Sequence, residues 1–251
     1  MINDLEILVA VATIKLDTIQ RRLAWPLRKD DMMNQKIYSI FVPLVIQYLL
    51  MESLGGCVIA MKGKDCIAIA SDLSFYDDRF LKGTNTPKVF KIHDKLFVGI
   101  SGLLGDISTV KQLLEYEISG FLIKENRYPE HFELTNILSH LLYKNRFTPF
   151  FIEPLLAGLD KDGNPVISSM DIIGATSNSN KFSVSGSCCD GLYGICELLW
   201  KPDMNEKELF NVICKCINFT TNRDCLNGWG ANIHIITKNK VLNKKLEFRI
   251  D

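Results

Sequence analysis

The thiols and imidazoles of the chain are eight cysteines, at 57, 66, 188, 189, 196, 214, 216 and 225, and four histidines. No two cysteines have Cys-x-x-Cys spacing, and six of the eight fall in apolar strand or helix patterns. That distribution predicts buried, reduced thiols in a cytosolic protein. It predicts no zinc site and no bound cofactor. His93 reads as a turn residue. Cys57 follows the pair Gly55-Gly56 and has one chemical option. A cut between Gly56 and Cys57 would give the cysteine a free amine, and an N-terminal thiol can use its own amine as base. The residues upstream would then be a propeptide. Asp72 is a lone carboxylate that follows the small apolar run Cys66–Ala70.

These groups need a frame. Val58, Ala60 and Lys62 alternate with Ile59 and Met61, Gly63-Lys64-Asp65 supplies a turn, and Cys66–Ala70 suits a strand buried on both faces. Residues 76–86 read as a polar loop. A second hairpin spans Lys88 to Ser101 around His93-Asp94. Asp106 is placed to cap a helix with Ile107, Val110, Leu113, Leu114 and Ile118 on one face. Pro129 opens another helix, with Phe132, Ile137, Leu138, Leu141 and Leu142 on its apolar side. The order then repeats. Strands are expected at Glu153–Leu159, Pro165–Ile173 and Lys181–Ser185. Helices follow at Gly191–Trp200 and Glu206–Thr221, then a hairpin from Ala231 to Phe248. Strands, helices, strands, helices and strands fit two stacked sheets between two helix layers.

With 251 residues, the chain is long enough for one large domain and an extension. Its 29 basic and 29 acidic residues cancel, which gives no electrostatic case for nucleic acid or an anionic membrane. The apolar fraction, 47%, suits a chain that buries several faces against partners.

The entry hairpin resembles the start of the mature part of a proteasome beta subunit, a member of the N-terminal-nucleophile hydrolases. Aligning Asp72 with that family's acid places Gly56 sixteen residues before it, Lys88 sixteen after it, and Gly102 fourteen beyond Lys88. These intervals match the family without a gap. Met61-Lys62-Gly63-Lys64, Tyr143-Lys144-Asn145-Arg146-Phe147, Asp171-Ile172-Ile173-Gly174, Val184-Ser185-Gly186-Ser187-Cys188 and Asn222-Arg223-Asp224 look like the beta type-3 branch in particular. The resemblance covers Gly55 to Asp251 and implies an α+β fold, a four-layer αββα sandwich with two stacked antiparallel sheets. The expected division is an extension over 1–53 and a proteasome beta-type domain over 54–251.

In catalytic relatives, the resemblance implies, the acid orients the lysine. The lysine lowers the pKa of a threonine and its amine, and the glycine amide stabilises the oxyanion. Here the threonine position is Gly56, which has no nucleophile. Asp72 and Lys88 are then expected to survive as a partly buried ion pair kept for architecture. Ser185 and Asp224 are matched to two positions that support the amine, and a serine expected after Asp224 is Asn227. Cys57 lies one residue further along the strand, so its side chain should point away from Lys88.

The resemblance also implies a role and partners. The role is a non-catalytic part in assembling the 20S core particle, which serves ubiquitin-dependent protein breakdown in cytoplasm and nucleus. The partners are the beta type-2 and type-4 neighbours, the opposing beta ring and the alpha ring. Asp171 and Ala175 carry over as a wall of the neighbouring beta type-2 substrate pocket. The alternative is an active hydrolase using Cys57. The extension departs from the family, whose members carry few residues before the glycines. It is expected to be a propeptide, an arm on a neighbour, or the product of a mis-assigned start. Its apolar run, 37–51, falls short of the roughly 20 residues a spanning helix needs, so no membrane segment is expected.

Overall fold

Strand β1, Cys57–Lys62, is buried along nearly its whole length, and its side chains alternate between two different cores. Cys57, Ile59 and Met61 point into one apolar cluster, while Val58 and Ala60 point into another. A strand sandwiched this way must have a layer on each face. The computed structural model describes residues 56–77 and 80–248. The extension expected at 1–53, with its apolar run, lies outside them.

The chain continues through β2 (Cys66–Asp72), β3 (Phe75–Asp77), β4 (Phe80–Gly83), β5 (Val89–His93) and β6 (Leu96–Gly102). Two helices follow, α1 (Leu104–Glu125) and α2 (His131–Lys144). Next come β7 (Ile152–Leu159), β8 (Pro165–Met170), β9 (Thr176–Ser179) and β10 (Phe182–Gly186). Helices α3 (Cys189–Leu199) and α4 (Glu206–Arg223) precede the closing strands β11 (Ala231–Thr237) and β12 (Val241–Leu246). One five-stranded antiparallel sheet has the order β10-β1-β2-β11-β12. The other runs β5-β6-β7-β8-β9, and β3 and β4 make a small separate ribbon.

Three apolar clusters fill the spaces between four layers. The first sheet packs Ile59, Ala68 and Ile233 against Leu192, Leu209 and Ile213 of α3 and α4. The second sheet packs Leu96, Val98 and Leu156 against Val110, Leu114 and Leu138 of α1 and α2. Between the sheets lie Val58, Ile69, Phe97, Leu155 and Ile167. The expected αββα sandwich is therefore the architecture. Each fully buried Leu or Ile contributes about 1.5–3 kcal/mol. At Gly99 the sheets approach so closely that an added Cβ would lie 2.4 Å from Cγ1 of Val58, so only glycine fits.

Several local expectations give way to tertiary context. The loop expected from residue 76 contains β3 and β4, which are too short to show alternation, and β4 is largely exposed. The strand expected to reach Ile173 stops at Met170, because the Asp171 carboxylate accepts from the Ile173 and Ala175 amides and turns the chain. Asp106 does not cap α1. The helix starts at Leu104, and Asp106 accepts from the Phe151 amide at 2.7 Å instead. Leu113 is 39% exposed and Phe132 72%, so neither belongs to the inner face expected for it. Glu130, not Pro129, sets the start of α2, through a capping box with Glu133.

The inner face of α2 includes His131, which is buried with its Nε2 unpartnered. Burial pulls its pKa down to about 4 from the usual 6.5. A histidine depressed in the fold stabilises fully above its unfolded pKa and loses that contribution as pH falls towards the folded value. We expect acid to remove about 3 kcal/mol through this group between roughly pH 6.5 and pH 4. Burial also lowers the pKa values of His93 and His234, so the comparison must isolate one residue. Urea melts of His131→Leu and the parent across that window should diverge, with the variant losing less stability in acid. Parallel pH profiles would show that His131 carries no such penalty.

Candidate functional site: an occupied nucleophile position

Asp72 closes β2 and is 0% exposed. Lys88, just before β5, is 3% exposed, and its Nζ donates to Asp72 Oδ1 at 2.6 Å. The same ammonium donates to the Ser74 carbonyl at 2.6 Å, and the Ser74 hydroxyl donates to Asp72 Oδ2 at 2.5 Å. The Cys57 amide adds a fourth bond, to Asp72 Oδ1 at 2.9 Å. A charge pair removed from water is held only when its remaining hydrogen-bonding capacity is also met, and here both oxygens and the ammonium have partners.

Gly56 stands at the head of this pair. Its φ of +127° belongs to the region that L side chains rarely adopt. A Cβ built there would sit 2.5 Å from Cε of Lys88 and 2.9 Å from its Nζ. The end of the lysine therefore fills the space that a side chain at position 56 would need. This position lacks a nucleophile, and it also lacks room for one in this arrangement.

The Gly56 carbonyl accepts from the Ser187 amide at 3.1 Å. The Ser187 hydroxyl donates to Asp224 Oδ2 at 2.6 Å, and the Asn227 amide group donates to the same oxygen and to Ser187 Oγ. Asp224 Oδ1 accepts from the Leu226 amide at 3.0 Å. Ser185 is elsewhere. It lies in β10 with its hydroxyl against Ser101 and the Glu153 carbonyl. Counting along the motif favoured Ser185, yet the hydroxyl that reaches Asp224 is two residues on. Strand geometry explains the difference. Gly186 ends β10, and Ser187 has already left the sheet toward α3. Sequence reasoning missed Ser187, although its place after the closing glycine of the strand was a usable signal.

Gly102 ends β6 opposite Ile152, and the next residue's amide donates to the Phe151 carbonyl. Asp171 and Ala175 lie on the exposed turn between β8 and β9, with the Asp171 carboxylate bonded to the Ala175 amide at 2.7 Å. Cys57 does face away from the ion pair, into the cluster beneath α3 and α4. It is 0% exposed, burial pushes its thiol far above the usual range, and its sulfur meets Thr220 Oγ1 at 3.6 Å. A thiol kept protonated and sealed from substrate cannot serve as a nucleophile. The geometry gives the Cys57 hydrolase alternative no support. Among the described residues no cluster of His, Cys, Asp and Glu is arranged to hold a metal ion. No helix among them is long and apolar enough to cross a membrane.

The ion pair yields a sharp expectation. Lys88→Met should destabilise the chain by about 3–5 kcal/mol, because it strands a buried carboxylate. Adding Asp72→Asn to Lys88→Met should restore a substantial part of that loss, as read from urea midpoints. Equal losses in the single and double variants would mean the pair is not coupled. Gly56→Thr should cost about 1–3 kcal/mol from backbone strain alone and gain no peptidase activity.

Comparison with known proteins agrees with this geometry. The family model described as proteasome subunit matches residues 52–236. The chain is 44% identical over 203 residues to the proteasome subunit beta type-3 of Dictyostelium discoideum, covering 80% of this chain and 99% of that protein. It is 43% identical over 198 residues to the subunit of the same name from Drosophila melanogaster, covering 78% and 97%. It is 39% identical over 202 residues to the one from Picea mariana, covering 80% and 99%. A family match across most of the chain, together with relatives spanned almost end to end, shows that this protein belongs to the proteasome subunit family.

Proposed function

We propose that the chain is a non-catalytic subunit of the proteasome beta ring. Its work is to complete the ring and hold its neighbours in place within the core particle that degrades ubiquitinated proteins. One observation carries the reading: the terminal carbons of Lys88 stand where a side chain at position 56 would have to be. Catalysis by this family's chemistry needs a hydroxyl or thiol there, next to a free amine. Asp72, Lys88, Gly102, Asp224 and Ser187 then serve as architecture. The partners are other proteasome subunits, namely the beta type-2 and type-4 neighbours, the opposing beta ring and the alpha ring, in cytoplasm and nucleus. Residues 54–251 form the beta-type domain, and 1–53 are an extension to it.

The exposed turn at Asp171 and Ala175 supports a second part of the reading. The chain lends this turn to the adjoining beta type-2 subunit as a wall of its substrate pocket. Asp171 already spends one carboxylate oxygen on its own turn, yet its charge reaches far enough to help raise the pKa of Glu153, whose main cause is burial. A negative wall favours basic or polar substrate side chains.

Intact-mass measurement of the chain recovered from the high-mass fraction of a lysate tests the first part. Polypeptide continuing upstream of Gly56, in a particle also holding alpha and beta subunits, is the expected result. A chain beginning at Cys57, or one found only free of the particle, would overturn it. For the wall, Asp171→Ala in assembled particles should weaken the upstream sequence preference of cleavage after basic residues by about 1 kcal/mol, roughly fivefold in relative rate. An unchanged preference would remove Asp171 from the pocket.

A further inference from the structure

The run Tyr143-Lys144-Asn145-Arg146-Phe147 closes α2, and none of its side chains takes part in the site above. The guanidinium of Arg146 lies over the Tyr143 ring, 4.6 Å from its centre, and over the Phe147 ring at 4.4 Å. All three side chains are on the surface, with Tyr143 55% exposed and Phe147 79%. The backbone beneath them is held in a tight turn. The Arg146 amide donates to the Tyr143 carbonyl, the Thr148 amide to the Asn145 carbonyl, and the Asn145 side chain to the Leu141 carbonyl. Arg146 Nη1 adds a bond to the Tyr143 carbonyl at 3.2 Å. Among the described residues no carboxylate stands within ion-pair range of Arg146 or Lys144.

From this arrangement we infer that Tyr143, Arg146 and Phe147 form a docking anchor for an aspartate or glutamate side chain on a neighbouring subunit of the same particle. The inference rests on the ring membership proposed above. The chain itself displays the chemistry of the occupant. Arg127 also lies over a ring, that of Phe121 at 5.1 Å, and there Glu133 closes the guanidinium fork with bonds of 2.7 and 2.5 Å. Arg146 repeats this device, but no described residue supplies the acid. A planar guanidinium offers paired N–H groups that match the two oxygens of a carboxylate, and contact with the rings holds it in place before the partner arrives. Tyrosine and arginine are the side chains that most often dominate an interface, and rings that shed water strengthen the ion pair beside them.

The place of the cluster in the fold favours a subunit contact. Tyr143 lies one helical turn beyond Ser139, whose hydroxyl donates to the Gly174 carbonyl at 2.6 Å. Gly174 belongs to the exposed turn at Asp171–Ala175, where Ile173 is 38% exposed. The anchor and that turn therefore share one side of the fold. An arginine beside aromatic rings also suits a nucleic acid strand. The 29 basic and 29 acidic residues of the chain, however, give no wider positive field to hold a phosphate backbone. A single carboxylate needs only the local charge of Arg146 and Lys144.

Particles assembled with the full chain carrying Phe147→p-benzoylphenylalanine should be irradiated and the crosslinked peptides sequenced by mass spectrometry. The expected product is one peptide of an adjoining proteasome subunit, with an aspartate or glutamate within a few residues of the linked position. Charge reversal provides the second arm. Arg146→Glu should leave the urea midpoint of the chain unchanged, because the side chain is exposed. It should lower the share of chain retained in the particle by about fivefold. Replacing the identified acid with arginine in the same particle should restore retention. A crosslink to nucleic acid, to this chain itself or to a peptide without a nearby acid would overturn the anchor, as would no crosslink. Full retention of Arg146→Glu, or no recovery on the charge swap, would do the same. Where the parent chain is present in the particle, such results remove the anchor alone. A parent chain absent from the particle would remove the proposed function and the anchor together.

Discussion

The ion pair between Asp72 and Lys88 is the constraint around which this molecule is arranged. Two opposite charges sit where water does not reach, so each must be met by fixed partners. Asp72 is met by the end of β1, by Lys88 and by Ser74, and Lys88 by Asp72 and the Ser74 carbonyl. Those partners come from the first sheet and from the approach to the second. The pair therefore fixes how β1 and β2 meet the chain entering β5. It also fixes the lysine's extended reach, which brings Cε to within 2.5 Å of where a Cβ at position 56 would lie.

A second network repeats the logic at the other end of Gly56. Ser187, Asp224 and Asn227 bind one another and hold the Gly56 carbonyl through the Ser187 amide. Here the carboxylate accepts from a hydroxyl, an amide side chain and a backbone amide. One amide nitrogen of Asn227 donates to both the carboxylate and Ser187, while its Oδ1 is buried without a partner.

The layered fold was legible in the sequence wherever a strand or helix had one face in a core. The alternation of Cys57 to Lys62 and the apolar run Cys66–Ala70 located both strands of the entry hairpin, and spacing located Asp72 and Lys88. Elements that obtain their order from elsewhere were hidden. Strand β9 reads Thr-Ser-Asn-Ser and carries no apolar signal, because only its backbone pairing to β8 makes it a strand. Ser187 was hidden for a related reason. Its role depends on where β10 leaves its sheet, which a count of residues does not show. Leu113 and Phe132 look like core residues by type but face outward, since a chain that meets partners has more than one apolar surface.

The rims of the two sheets have a consequence for the life of the chain before it meets its partners. A sheet ends in rows of free backbone donors and acceptors, which invite another copy to add a strand. One sheet ends in β9, four residues long and polar. The other ends in β12, whose Asn243, Lys244 and Lys245 are all exposed. Shortness at β9 and positive charge at β12 discourage such additions at those two of the four edges. At these edges a newly made copy is shielded from adding a strand of another copy before it meets its partners.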